Sequence, residues 1–509
     1  MSKEKYKLHP ISALINFIKV LKDMIVPLVF VVAVNGFGSG GDSEGWSSYI
    51  TSIIYGVILL FMLVSGIIKW KRFRYWFEEE ELRIEYGLFV KKKRYIPFER
   101  IQSLNYTEGI LHRPFGLVKV KVETAGGGQT KEADAELTAI TKEAAEQIKK
   151  EMLQAKNKLP VDSGETIQVE EIVEQQTKPV FHISQKELII LASTSGGIGV
   201  FFSGLAVFVS QFSEIIPYET IYDEFQVFIK FGVLLIALAV FSVLLVAWIV
   251  SVVITFINYY DFTIRVEDNE IIITRGLLEK KKITIPLSRI QGIRVVENPL
   301  RQLTGYATVI VDSAGGSLAE KDEKIRLLPL IKKKEINKIL LQIFPEFQLD
   351  PSYITVPKKS RKFFYRLDFL WMIPVVGVVI YFFYPYGLLS LLLFPISFGI
   401  GVWQHKTMGY YIDQQHLVIQ YRIISKTTVW LEKRRIQSMT ERTTYFQKRV
   451  GISSVITTIK SGIGGAVTTV SHLDKEDAEM LLSWYEPART KSTQLEKEQR
   501  PSFETVNPN

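Results

Sequence analysis

Cysteine is absent from all 509 residues, which excludes disulfides, thiol nucleophiles and cysteine-bound metal in one step. Histidine is scarce and scattered. The six are His9, His112, His182, His405, His416 and His472, and no two stand at the i, i+4 spacing that sets a pair of metal ligands on one helix face. Gly126-Gly127-Gly128 lacks the lysine and hydroxyl residue of a phosphate loop. Gly196-Gly197-Ile198-Gly199 stands in an apolar run, where small residues let helices approach closely. No nucleophile–base pair and no carboxylate pair stands out, so no enzyme chemistry, metal or cofactor is expected.

Lysine and arginine are missing from particular loops. Residues 36–45 contain neither, and residues 211–224 contain neither while carrying Glu214, Glu219, Asp223 and Glu224. Tyr384-Pro385-Tyr386-Gly387 is a third uncharged turn. Each of these separates two apolar stretches, whereas other connections are basic, as in Lys69-Trp70-Lys71-Arg72 and Lys358-Lys359-Ser360-Arg361-Lys362. The chain is 47% hydrophobic yet 23% charged, a mixture that suggests apolar spans alternating with polar modules. Six spans are expected as three hairpins: about 13–34 with 48–69, 188–211 with 227–256, and 368–384 with 386–403. The positive-inside rule puts both termini and every polar module in the cytoplasm. The net charge of +9 reads as that retention rather than as a nucleic-acid surface.

What is present is one sentence written three times. Glu81-Leu82-Arg83-Ile84-Glu85-Tyr86-Gly87 leads to Lys91-Lys92-Lys93-Arg94, Pro97 and Arg100-Ile101-Gln102. The second copy runs Glu270-Ile271-Ile272-Ile273-Thr274-Arg275-Gly276, Lys280-Lys281-Lys282, Pro286 and Arg289-Ile290-Gln291, at a constant offset of 189. The third keeps Leu417, Ile419, Tyr421 and Arg435-Ile436-Gln437 at an offset of 335. There Arg422 replaces the glycine, Glu432 the proline, and Ser425-Lys426-Thr427-Thr428 the basic run. Alternation at period two predicts strands. Gly87 and Gly276 fall at turns that want positive φ, and an amphipathic helix closes each copy at about 139–154, 331–344 and 474–485. Ser184-Gln185-Lys186-Glu187 has the spacing of a capping box.

This order of strand, glycine, strand, Arg-Ile-Gln and glycine resembles the bacterial pleckstrin-homology-like membrane proteins of the bPH2 or DUF304 type, over roughly residues 5–486. The resemblance implies an α+β membrane protein in which transmembrane helix hairpins alternate with PH-like bent β-sheet domains, each of seven strands and closed by a carboxy-terminal helix. It implies a bacterial cell membrane and no catalysis. The expected division is hairpin 10–70, PH-like domain 71–156, flexible acidic linker 157–183, hairpin 184–257, domain 258–347, hairpin 366–404, domain 408–486 and disordered tail 487–509.

Two sets of residues are candidate sites. Lys91, Lys92, Lys93 and Arg94, with Lys280, Lys281 and Lys282, stand at the start of a strand. Two roles are open for them: contact with anionic headgroups or a partner, or a solvated lysine edge that blocks unwanted strand pairing. The repeated signature, Arg100 and Gln102, Arg289 and Gln291, Arg435 and Gln437, reads as structural, its arginine serving carboxylates or carbonyls of its own module. The leading function is a non-catalytic scaffold presenting three PH-like domains to a membrane-protein partner, with a shorter family relative as the candidate. Cell-envelope protection or resistance to membrane-active peptides is the process the resemblance implies. Lipid sensing through the basic edges is the alternative, and transport a weaker one.

Overall fold

The computed structural model describes residues 5–19, 21, 46–124, 135–157, 179–194, 233–314, 325–347, 351–382, 384–461 and 465–486. The expected first span beyond residue 21, the glycine stretches at 126–128 and 196–199, nearly all of the acidic linker and the tail lie outside these residues.

Seven strands belong to each copy. The first has β1 (Tyr6–Lys7), β2 (Arg74–Glu78), β3 (Glu81–Tyr86), β4 (Lys92–Pro97), β5 (Ile101–Glu108), β6 (Leu117–Thr124) and β7 (Ala135–Thr141). The second has β8 (Phe181–His182), β9 (Thr263–Glu267), β10 (Glu270–Arg275), β11 (Lys280–Pro286), β12 (Ile290–Glu297), β13 (Tyr306–Ser313) and β14 (Ile325–Lys332). The third has β15 (Ile354–Thr355), β16 (Gly409–Ile412), β17 (His416–Arg422), β18 (Lys426–Glu432), β19 (Ile436–Arg442), β20 (Ile452–Ile459) and β21 (Ala466–Asp474). The first strand of each set precedes the apolar helices and returns to pair with the strand that follows them, as Tyr6 does with Tyr75, Phe181 with Ile264 and Ile354 with Tyr410.

In the same order, the helices are α1 (Trp46–Arg72), α2 (Lys142–Asn157), α3 (Gln185–Thr194), α4 (Val233–Tyr259), α5 (Pro299–Thr304), α6 (Lys333–Ile343), α7 (Arg361–Phe382), α8 (Leu393–Thr407), α9 (Tyr445–Val450) and α10 (Lys475–Tyr485). Helices α2, α6 and α10 are the closing helices. The capping box that opens α3 is formed: the Ser184 amide donates to Glu187 Oε2 at 3.0 Å and the Glu187 amide to Ser184 Oγ at 3.3 Å. Helix α1 occupies the place of the span expected at 48–69. Among the described residues, two stretches are long and apolar enough to cross a bilayer by length and composition, Phe241–Tyr259 and Gly387–Thr407, with a shorter apolar stretch at Trp371–Phe382. Three complete hairpins therefore go beyond what these residues establish.

The sheets depart from the expectation of one seven-stranded sheet per module. The four-stranded sheet β1-β2-β3-β4 stands alone, and so does the three-stranded sheet β19-β20-β21. Between them run two seven-stranded sheets in the orders β7-β6-β5-β11-β10-β9-β8 and β14-β13-β12-β18-β17-β16-β15. Each joins the last three strands of one module to the first four of the next. The reason lies in the short 3-10 turn that ends at the signature arginine, over Phe98–Arg100, Leu287–Arg289 and Lys433–Arg435. It breaks hydrogen bonding between the two halves of a module and frees one edge on each, and a bare strand edge seeks a partner.

The described residues form two compact units, the first running to Ser288 and the second beginning at Arg289. In the first unit, module one has its own core: Leu82, Ile84, Ile96 and Phe98 from one half pack with Ile101, Val120 and Leu137 from the other and with Ile148 and Met152 of α2. In the second unit, Tyr410, Leu417, Ile419 and Val429 pack with Val455, Val470 and Leu473 and with Ala478 and Leu481 of α10. Cores thus form within modules while backbone ladders run between them.

Candidate functional site at the module junctions

The first junction lies in the first unit. Strand β11 pairs antiparallel with β5, with Lys280 opposite Glu108, Lys281 opposite Thr107 and Lys282 opposite Tyr106. Asn105 locks it: its Oδ1 accepts the Thr284 amide at 3.0 Å and its Nδ2 donates to Glu123 Oε1 at 3.0 Å. Ser103 Oγ donates to the other Glu123 oxygen at 3.0 Å. All three side chains are buried, so each partner satisfies a group that water cannot reach.

The second junction, in the second unit, repeats the plan with stronger charges. Strand β18 pairs with β12 from Lys426 opposite Glu297 to Leu431 opposite Gly292. Arg294 and Asp312 hold the positions of Asn105 and Glu123, and Arg294 Nε donates to Asp312 Oδ2. Arg294 also donates to Thr468 Oγ1 at 3.3 Å, and Ser461 Oγ to Asp312 Oδ1 at 3.4 Å. The pair is almost closed to solvent, at 5% and 2% exposure. Gly292 permits the close approach: a Cβ there would lie 2.8 Å from Leu431. In module three the same two positions are Thr440, which is exposed, and Thr458. No described strand lies beside β19 on its outer side.

The basic runs therefore occupy different settings. Lys280–Lys282 lie inside a continuous sheet. Lys92, Lys93, Arg94 and Tyr95 are exposed on β4, which has no described strand on its outer side. Lys91 pairs with Glu85 at 2.9 Å, and Lys93 lies 3.8 Å from the same carboxylate. The Lys91 hydrogen bond holds the Glu85 carboxyl below its usual range, with Lys5, Lys91 and Lys93 adding attraction. Modules two and three carry neutral Thr274 and Gln420 at that position. Lys426, the third copy's counterpart of Lys91, reaches Glu297 across the junction at 3.8 Å.

The signature residues do not converge on one site. Ile101, Ile290 and Ile436 are buried in all three modules. Arg100 is exposed, Arg289 is buried, and Arg435 Nε lies 3.7 Å from Glu432 of its own module. Gln291 Nε2 donates to the Arg289 carbonyl at 3.0 Å, whereas Gln102 is half-buried and Gln437 exposed. What repeats is backbone: Phe98, Leu287 and Lys433 donate to the carbonyls of Glu80, Asn269 and Gln415 at 3.0, 3.0 and 2.7 Å. Arg422, in place of the turn glycine, stacks 3.7 Å from the Trp403 ring centre and donates to Gln302 Oε1 at 2.8 Å.

The paired polar positions 105/123 and 294/312 escape sequence reading, because nothing in strand periodicity announces a neighbour from another module. Their trace is an aligned pair that changes together, Asn with Glu, Arg with Asp, Thr with Thr. Among the described residues no cluster of three or more His, Asp or Glu could hold a metal ion.

The chain matches the family described as Bacterial PH domain three times, over residues 25–156, 226–344 and 367–489. It is 35% identical over 495 residues, 95% of this chain and 99% of the relative, to the UPF0699 transmembrane protein YdbT of Bacillus subtilis (strain 168). It is 31% identical over 109 residues, 21% of this chain and 69% of the relative, to the UPF0699 transmembrane protein YdbS of the same organism.

Proposed function

The chain belongs to the bacterial PH domain family, and from that premise we propose that it is a non-catalytic membrane scaffold for protein–protein contact. Three helix hairpins anchor it, and its three PH-like modules lie on the cytoplasmic side. The observation that carries this reading is the unequal fate of equivalent edges. The edge of β11 is joined to β5 and that of β18 to β12, whereas β4 and β19 have no described neighbour on the same sides. A strand edge so placed accepts an added strand from a partner, with backbone hydrogen bonds supplying affinity. The partner that fits is a membrane protein carrying a PH-like module of its own, and a relative of one-module length, such as the 109-residue match represents, has the right form. Cell-envelope protection is the process proposed for the complex.

An affinity pull-down from mild detergent, with one module deleted at a time, tests the scaffold. Capture of a partner that depends on module one or module three is the expected result. Recovery of none with the intact chain would refute it.

A second reading, anionic-lipid binding, is favoured by the exposed cations of β4, each contributing about 1 kcal/mol near an anionic surface. Salt-sensitive binding of the full chain's β4 face to phosphatidylglycerol headgroups, lost when Lys91, Lys92, Lys93 and Arg94 are neutralised, would support it. The internal countercharge of Glu85 weighs against it.

A further inference from the structure

One apolar feature recurs in all three modules. At the tips of the hairpins β3–β4, β10–β11 and β17–β18 stand Leu88-Phe89, Leu277-Leu278 and Ile423-Ile424, at the same offsets of 189 and 335 as the rest of the repeat. Leu88 and Leu277 are half-buried, but the rest of each tip is bare. Phe89 is 81% exposed, Val90 71%, Leu278 45%, Ile423 69% and Ile424 62%. A tight hairpin in water favours Asn, Asp and Gly at its tip, so a large apolar pair kept three times needs another environment.

Each tip is also tied to the end of its own helix. Arg72, the last residue of α1, donates from Nη1 to the Leu88 carbonyl at 2.6 Å. In module two the Leu277 amide donates to the Ile257 carbonyl at 2.9 Å and the Gly276 amide to the Tyr260 carbonyl at 2.8 Å, at the end of α4. In module three Gln404, in the last turn of α8, donates from Nε2 to the Ile423 carbonyl at 3.0 Å. Aromatic residues gather at these helix ends: Trp70 and Tyr259 pack inside their own modules, while Tyr260 and the exposed Trp403 are of the type that marks a membrane interface. A helix turn rises about 5 Å, and the headgroup layer on each side of the hydrocarbon is roughly 5–8 Å deep. A tip bonded to the last turn of a spanning helix is therefore held within that layer.

We infer that the three hairpin tips are membrane-insertion points, each seating its exposed apolar side chains in the interfacial layer of the leaflet where its helix ends. The occupant is the lipid surface itself, met by apolar contact without headgroup selectivity. Each module is then fixed to the bilayer at two places, its helix and its tip, so it cannot swing freely on its tether.

The inference rests on the helices crossing the bilayer, as the function proposed above requires. Because the chain has no cysteine, single variants Phe89→Cys, Leu278→Cys and Ile424→Cys accept one nitroxide label each. The full chain is placed in nanodiscs of phosphatidylethanolamine and phosphatidylglycerol, and relaxation by oxygen is compared with relaxation by a water-soluble nickel chelate. Glu143→Cys and Glu476→Cys, both exposed, report water, and Leu245→Cys on α4 reports the bilayer. The expected oxygen-to-nickel ratio at the tips is several-fold above the water controls. Water-like values at the tips with a lipid-like value at residue 245 would overturn the inference alone. A water-like value at residue 245 would overturn the spanning helix as well. Exclusion of both reagents from a tip would mean a protein cover, and would also overturn it. Val90→Cys repeats the reading should Phe89→Cys lower the yield.

Discussion

Removing one member of the Arg294–Asp312 pair should do more damage than removing both. The two side chains are 5% and 2% exposed and sit where β12 meets both β13 and β18. Arg294→Met leaves a carboxylate with, among the described residues, only the Ser461 hydroxyl to bond it, at 3.4 Å. Breaking a buried ion pair from one side destabilises by about 3–5 kcal/mol, because the surviving charge has lost both water and partner. Replacing both with apolar residues of similar volume is commonly neutral or stabilising by about 1–4 kcal/mol. At about 2–4 °C per kcal/mol for a domain of this size, Arg294→Met should lower the midpoint of the second unit by roughly 6–20 °C. The Arg294→Met/Asp312→Leu double variant should recover most of that loss. Thermal unfolding of the full chain in detergent, read by proteolysis at sites within residues 289–486, measures both. A single variant costing under about 1 kcal/mol, or a double variant as unstable as the single, would refute the argument that desolvation dominates at this junction.

Asn105→Leu should cost about 1–3 kcal/mol by stranding the Thr284 amide; faster hydrogen exchange at residues 280–286 is the readout, and unchanged exchange would count against it. His472 is pushed down to about 4 by burial, against an ordinary value near 6.5. The unfolded chain therefore takes up its proton first as pH falls, and the contribution present above about pH 6.5 is lost progressively toward pH 4, up to about 3 kcal/mol. His472→Gln should flatten that slope in pH-dependent melting of module three. Glu79 and Glu80 both hold positive φ, 53° and 62°, in the two-residue turn between β2 and β3. The double variant Glu79→Asn/Glu80→Gly, which supplies the residue types such a turn favours, should raise thermal stability by about 1 kcal/mol. The exposed Glu79–Arg83 contact it removes is worth less.

The parts of the fold legible in the sequence are those that each module settles by itself. Leu82, Ile84, Leu417 and Ile419 alternate because one face of their strands meets a local core. Gly87 and Gly276 repeat because φ of 132° and 108° brings the backbone so near Val90 and Glu279 that a Cβ has no room. Ser184 and Glu187 announce their cap because its bonds close within four residues. The rest depends on partners roughly 130–180 residues away in sequence. Lys91–Arg94 and Lys280–Lys282 look alike as text, yet one run borders solvent and the other lies inside a sheet. No local pattern separates them, since the difference is whether a preceding module supplies a strand to that edge. The Arg-Ile-Gln signature invites a ligand reading by its recurrence. Its constant contents are a core isoleucine and the turn at which the chain passes from one sheet to the next.

Sharing sheets in this way makes the repeats behave like links that are each half of two rings. Excising the whole middle link, hairpin included, would bring Glu108 opposite Lys426 in the alignment now held by Glu108 with Lys280 and Glu297 with Lys426. A shortened protein of that kind keeps a matched closure, whereas a cut at either domain border exposes two raw ladders. Length in this lineage can therefore change cheaply only by complete units.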